Sequence, residues 1–142
     1  MDLFKIENFH KDICLAFPKY SEIEMSTITQ YIDSKLSTSN YLHIYEQIQT
    51  KQYWVDKYNA LDPGFSIKDV FNSYHLECAI VNIIWNINDE KFDRISFSNF
   101  STYFEYIWYP AIDDILICDS KVSFIMFIRH DGVIFIMQSE AV

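Results

Sequence analysis

The sequence predicts a single α+β domain, residues 1–142, with N-terminal helices packed on a C-terminal three-stranded antiparallel β-meander. Three observations lead there. Apolar residues recur at helical spacing through much of residues 1–108. The period then changes, and short apolar runs bounded by turn signals occupy 113–138. The 142 residues suit one core, and helices followed by strands define the segregated α+β class.

The elements follow in order. Leu3, Ile6, Phe9, His10, Ile13 and Phe17 keep helical spacing, and Pro18 ends that segment because the residue before a proline avoids the helical region. Ser26 or Thr27 caps a second helix carrying Ile28, Tyr31, Ile32 and Leu36. Residues 37–40 form a loop and the N-cap of a third helix, which buries Leu42, Ile44, Tyr45 and Ile48 and continues through Trp54 and Tyr58. Asp62-Pro63-Gly64 is a turn. Ser66-Ile67-Lys68-Asp69 fits a capping box, opening a helix whose register runs from Ile67 through Phe71, Cys78 and Val81 to Trp85. A strand over 76–87 competes with the end of that helix, given its Ile and Val content. Residues 88–93 read as a charged loop. Ser98 caps a short helix with Phe100, Tyr103, Phe104 and Ile107 on one face, stopped by Pro110. Residues 114–118, 122–129 and 133–138 are the three strands, the last two joined at Asp131-Gly132 by a type I′ turn with positive φ at both positions. The sheet packs against the helix from Ser66.

Composition narrows the function classes. Hydrophobic residues are 50% and aromatic residues 18% of the chain, which excludes a disordered polypeptide, and two Gly exclude a collagen-like one. The formal charge of −9 argues against direct nucleic-acid binding, which depends on a basic surface to release counterions. Cys14, Cys78 and Cys118 are odd in number and widely spaced, and each has apolar neighbours. They read as small buried hydrophobes in a reducing, cytoplasmic compartment. No apolar run approaches the ~20 residues that span a bilayer.

Chemistry-bearing motifs are sparse. The four His residues form no i,i+4 pair, so no metal site is expected. Two Gly cannot build a phosphate-cradling loop of the usual kind, there is no nucleophile elbow, and no cofactor is expected. His130-Asp131 is better explained as a strand end and turn than as an acid–base pair. Asp113-Asp114 could be a carboxylate pair, but adjacent strand residues face opposite ways.

The segment 95–120 stands out. It holds Glu105, Asp113, Asp114 and Asp119 without Lys or Arg, together with Tyr103, Tyr106, Trp108 and Tyr109. Residues 72–142 carry −6 and residues 1–71 carry −3. Such a window is either a solvated loop with core aromatics or a protein-binding face: aromatic anchors in an acidic field aimed at a basic partner. The expected partner-binding residues are Glu105, Tyr106, Trp108, Tyr109, Asp113, Asp119 and Asp131. Tyr103 and Phe104 lie on the buried stripe of their helix and are left out.

The pattern Trp108-Tyr109-Pro110-Ala111-Ile112-Asp113-Asp114, followed by an apolar strand ending His130-Asp131-Gly132, resembles the C-terminal half of immunity proteins from bacterial polymorphic toxin systems, such as contact-dependent growth inhibition. The resemblance is one of pattern and covers residues 95–138. It implies a cytoplasmic, non-enzymatic inhibitor that binds a cognate toxin domain, often a nuclease. A nuclease is basic around its substrate channel, which suits an acidic inhibitor. In such proteins the Asp-Asp pair can be structural. An enzyme or small-ligand module with a pocket between helices and sheet is the alternative, and a regulatory binder is a third. Toxin identity, active-site or exosite inhibition, and oligomeric state stay open.

Overall fold

A computed structural model describes residues 1–36 and 43–138. Its centre is one seven-stranded antiparallel sheet in the order β1-β4-β3-β5-β6-β7-β2. The strands are β1 (Tyr20–Glu24), β2 (Trp54–Asn59), β3 (Ile80–Ile84), β4 (Lys91–Ser96), β5 (Ile115–Cys118), β6 (Phe124–Ile128) and β7 (Val133–Gln138). The helices are short: α1 (Leu3–Ile13), α2 (Thr29–Leu36), α3 (Ile44–Ile48), α4 (Ile67–Ser73) and α5 (Phe97–Thr102).

This corrects the expected fold class. Strands β5, β6 and β7 are consecutive neighbours, but they form the inner part of a larger sheet, and four more strands come from residues 1–108, expected to be mainly helical. The sheet is covered on both faces. Phe124, Met126 and Ile128 of β6 join Val70, Phe71, Phe100 and Trp108 in one core. Ile125 and Phe127 of the same strand join Ile28, Ile32, Ile44 and Ile48 in the other. All five β6 side chains are buried. Each contributes about 1.5–3 kcal/mol on leaving water.

Two-sided burial explains the misread β3. A strand covered on both faces loses its polar–apolar alternation and looks like a buried helix. That happened at β3, where Val81 and Ile83 face one core and Ile84 the other. The helix from Ser66 stops at Ser73, and Ser66 occupies its N-cap without a side-chain capping bond. The supposed charged loop 88–93 contains the start of β4. Its Asp93 is 2% exposed and accepts from Trp85 Nε1 at 2.7 Å. Trp54 and Tyr58 keep helical spacing yet lie in edge strand β2. Strand β1, the other edge, has only Ile23 as a core-facing aliphatic residue. The N-cap of α5 is Ser96, accepting from Asn99 N–H at 3.2 Å, rather than Ser98. Helix α1 ends before Pro18, at Cys14, whose φ of +63° gives a left-handed cap. The loop and cap expected at 37–40, and Leu42, lie outside the described residues.

The β6–β7 turn also differs from expectation. Arg129 N–H donates to Val133 O and Gly132 N–H to Arg129 O, closing a three-residue loop, His130–Gly132. Within it only Gly132 has positive φ, +85°. A Cβ there would sit 2.1 Å from Asn59 Oδ1 and 2.9 Å from Leu61 N. Gly132→Ala is therefore expected to cost about 2 kcal/mol or more, from left-handed strain plus displacement of the β2 tail. Urea unfolding of the variant measures it, and a loss within 0.5 kcal/mol of zero, the ordinary surface range, would contradict the packing.

Candidate functional site

The segment after α5 folds back towards the N-terminus. Phe104–Tyr106 make one turn of 3-10 helix, after which Trp108 is 3% exposed. Its ring stacks on Phe104 with centroids 6.0 Å apart, and its Nε1 donates to Asp113 O at 3.0 Å. The chain then turns through Pro110 and Ala111, whose φ is +67°. Ala111 N–H donates to His130 O at 2.9 Å, and Asp113 N–H returns to Tyr109 O at 3.1 Å.

The two adjacent carboxylates part company here. Asp113 turns inward. Its Oδ2 accepts from Tyr109 N–H at 2.8 Å and pairs with the Lys5 ammonium. Lys5 is fully buried, donates also to Ile107 O at 2.6 Å, and lies 4.6 Å from the ring centroids of both Trp85 and Tyr109. Burial pushes the Lys5 ammonium below its ordinary pKa, against the upward pull of the hydrogen bond and charge of Asp113. Asp114 turns outward, and its Oδ1 accepts from His130 N–H at 2.6 Å and contacts His130 Nδ1 at 3.0 Å. The Asp-Asp and His-Asp-Gly segments that carry the family resemblance are thus clamped to each other. Arg129 and Asp131 complete the clamp with a two-pronged pair at 2.8 Å for each prong. That pair lowers the pKa of the Asp131 carboxyl.

The predicted binding residues do not form one face. Trp108 is in the core, and Asp113 is 9% exposed, its Oδ2 tied to Lys5 and Tyr109 while the carboxylate borders a cleft. Glu105 is exposed and Tyr106 half-buried, beside α1, where Tyr106 packs edge-on against Phe9 at 5.3 Å. Tyr109 is half-buried over Lys5, with Phe4 against its ring at 5.4 Å. Asp131 is exposed but occupied by Arg129. Asp119 caps the β5–β6 turn, accepting from Ser123 N–H at 2.6 Å, and lies at the far end of β5 from Asp113. Six extended residues put roughly 20 Å between them.

What the fold assembles instead is an acidic end of the sheet. A cleft of about 390 Å³ is lined by Asp2, Glu22, Asp89, Glu90 and Asp93, with Met1, Trp85 and Lys91, and the Met1 ammonium pairs with Asp93 at 2.5 Å. Lys91 is shared between Glu22 at 3.8 Å and Glu24 at 4.0 Å. A second cleft of about 370 Å³, also lined by Trp85, contains Tyr45, Ile112, Asp113, Asp114 and Phe127. Ile112 of the second cleft is 65% exposed, and Phe4, packed against Tyr109, is 40% exposed. These residues come from α1, β1, α3, the β3–β4 hairpin, the turn before β5, and β6. No sequence window contains them together. The one available signal was Ile112, an apolar residue stranded in a polar turn.

The cysteines divide as well. Burial raises the Cys118 thiol to about 12 and the half-buried Cys78 thiol to about 11. Cys14 is exposed, contrary to its reading as a buried hydrophobe. Among the described residues no group of three or more His, Cys, Asp or Glu is placed to hold a metal, and no helix is long and apolar enough to cross a membrane.

No protein-family model, curated protein or solved structure matches this chain.

Proposed function

We propose that the chain is an immunity-type inhibitor, a protein that neutralises a basic toxin domain of the nuclease class by equimolar binding. The binding face is the acidic end of the sheet rather than the 95–120 segment. The observation that carries this reading is the gathering of Asp2, Glu22, Asp89 and Glu90 in one cleft and of Asp114 with exposed Ile112 in a second, the two clefts sharing Trp85. That pairing supplies both parts of a recognition surface. The field accelerates encounter with a basic partner and rejects acidic ones, while desolvated apolar anchors set the dissociation rate. No reaction by the inhibitor is needed, because occupying or screening a phosphate-gripping channel denies the toxin its substrate.

The test starts from the gene neighbourhood, where a basic toxin domain encoded immediately upstream is expected, and its absence would count against the reading. Co-expression is expected to restore growth, and calorimetry to give a one-to-one complex. Reversing Asp89 and Glu90 to Lys together is expected to slow association about tenfold or more at low salt and to flatten its salt dependence. Asp119→Lys, at the far end, serves as the control and leaves the rate unchanged. Growth arrest despite full expression of the folded inhibitor would sink the reading, and equal sensitivity to the Asp119 change would sink the choice of face.

A further inference from the structure

We propose that the second cleft, between Tyr45, Trp85, Phe127 and Ile112, receives the guanidinium of one arginine side chain of the partner. This rests on the binding-face reading above and names the group that enters it.

Three features select that group. The walls are aromatic, Trp85 and Tyr45 being half-buried and Phe127 buried with its ring 5.5 Å from that of Tyr45. Such faces attract a cation through their quadrupole, as the Trp85 ring does the Lys5 ammonium 4.6 Å from its centroid, and a planar cation can also stack. The polar lining is the amides of Gln49 and Asn86, the latter accepting from Asn88 N–H at 2.9 Å, and two carboxylates with acceptor capacity to spare. Asp113 is 9% exposed, and its Oδ2 carries the bonds to Lys5 and Tyr109 while Oδ1 accepts none among the described residues. Asp114 uses Oδ1 on His130, and its Oδ2 likewise accepts none. Two carboxylate oxygens from adjacent residues suit the divided donors of a guanidinium better than the single point of an ammonium.

Charge counting gives the stoichiometry. Lys5 neutralises Asp113 and Arg129 neutralises Asp131. Asp114 makes no ion pair with a Lys or Arg among the described residues, which leaves one carboxylate for one monovalent cation. Gln49 is not free to compete, since its Oε1 accepts from Arg129 at 3.2 Å and its Nε2 donates to Tyr45 O at 2.9 Å. Exposed Ile112 at the rim would cover the aliphatic stem of the incoming side chain.

The experiment titrates N-acetyl-arginine methylamide into the isolated protein and follows the amide and indole resonances by two-dimensional NMR. Saturable shifts are expected at Ile112, Asp114 and the Trp85 indole. The uncharged citrulline analogue and the lysine analogue are each expected to bind about tenfold more weakly. Asp114→Asn, with the thermal melt as a check on folding, is expected to weaken arginine binding by a similar factor, and Asp119→Asn is expected to leave it unchanged. Absence of saturable shifts overturns the proposal, as does equal binding of the citrulline or lysine analogue. Because the probe is a small amide and no toxin is present, the two readings fail separately. Arginine binding without a toxin complex counts against the inhibitor reading alone. A toxin complex without arginine binding counts against this pocket alone.

Discussion

Lys5→Met is expected to destabilise the protein by about 3–5 kcal/mol, the usual cost of removing one partner from a buried ion pair. Methionine fills most of the lysine's volume, so the loss reports charge rather than a cavity. Asp113 would be left 9% exposed with one backbone N–H, from Tyr109, in place of a counter-ion. Adding Asp113→Asn to the same chain should recover part of the loss, because a neutral amide costs far less to bury than an unpaired carboxylate. Urea unfolding of the two single variants and the double variant completes the cycle. A loss below ~1 kcal/mol for Lys5→Met, the range of exposed pairs, would mean that the pair is hydrated in solution and that α1 is not anchored by it.

Trp108→Ala is the second large effect, expected to cost about 3–5 kcal/mol of stability. Trp108 loses its stacking on Phe104, and its removal leaves Asp113 O without its indole donor. As an exposed interface anchor the same residue would show a normal melt and a faster-dissociating complex. Thermal melts and binding kinetics on one variant separate the two. At 3% exposure, the melt is where the change belongs. A normal melt with fast dissociation would return Trp108 to the binding face.

The strands best anticipated are those whose ends are marked locally. Asp131-Gly132 separates β6 from β7, and Asp119 to Lys121 separates β5 from β6; each punctuates the chain by its own backbone preferences. The strands missed lack such marks or carry contrary ones. In β3 the two-sided core erased the alternation. In β4, Asp93 made a buried strand look solvated, because its partners, the Met1 ammonium and Trp85 Nε1, come from elsewhere in the chain. In β1 a single core-facing aliphatic residue sufficed, since an edge strand borrows its stability from the pairing with β4.

The candidate site follows the same division. The sequence by itself determined that the surface would be acidic, that the WYPAIDD segment would turn, and that Gly132 would close a hairpin, because charge count and turn chemistry are properties of a few adjacent residues. Only the tertiary structure decided which carboxylates remain free. Asp113 and Asp114 are neighbours with identical side chains, yet Lys5, 108 residues away, neutralises the first, and His130, 16 residues away, leaves the second facing a cleft. Whether an aspartate is a structural counter-ion or a ligand for a partner depends on which cation the topology brings within about 4 Å, and no local pattern encodes that distance.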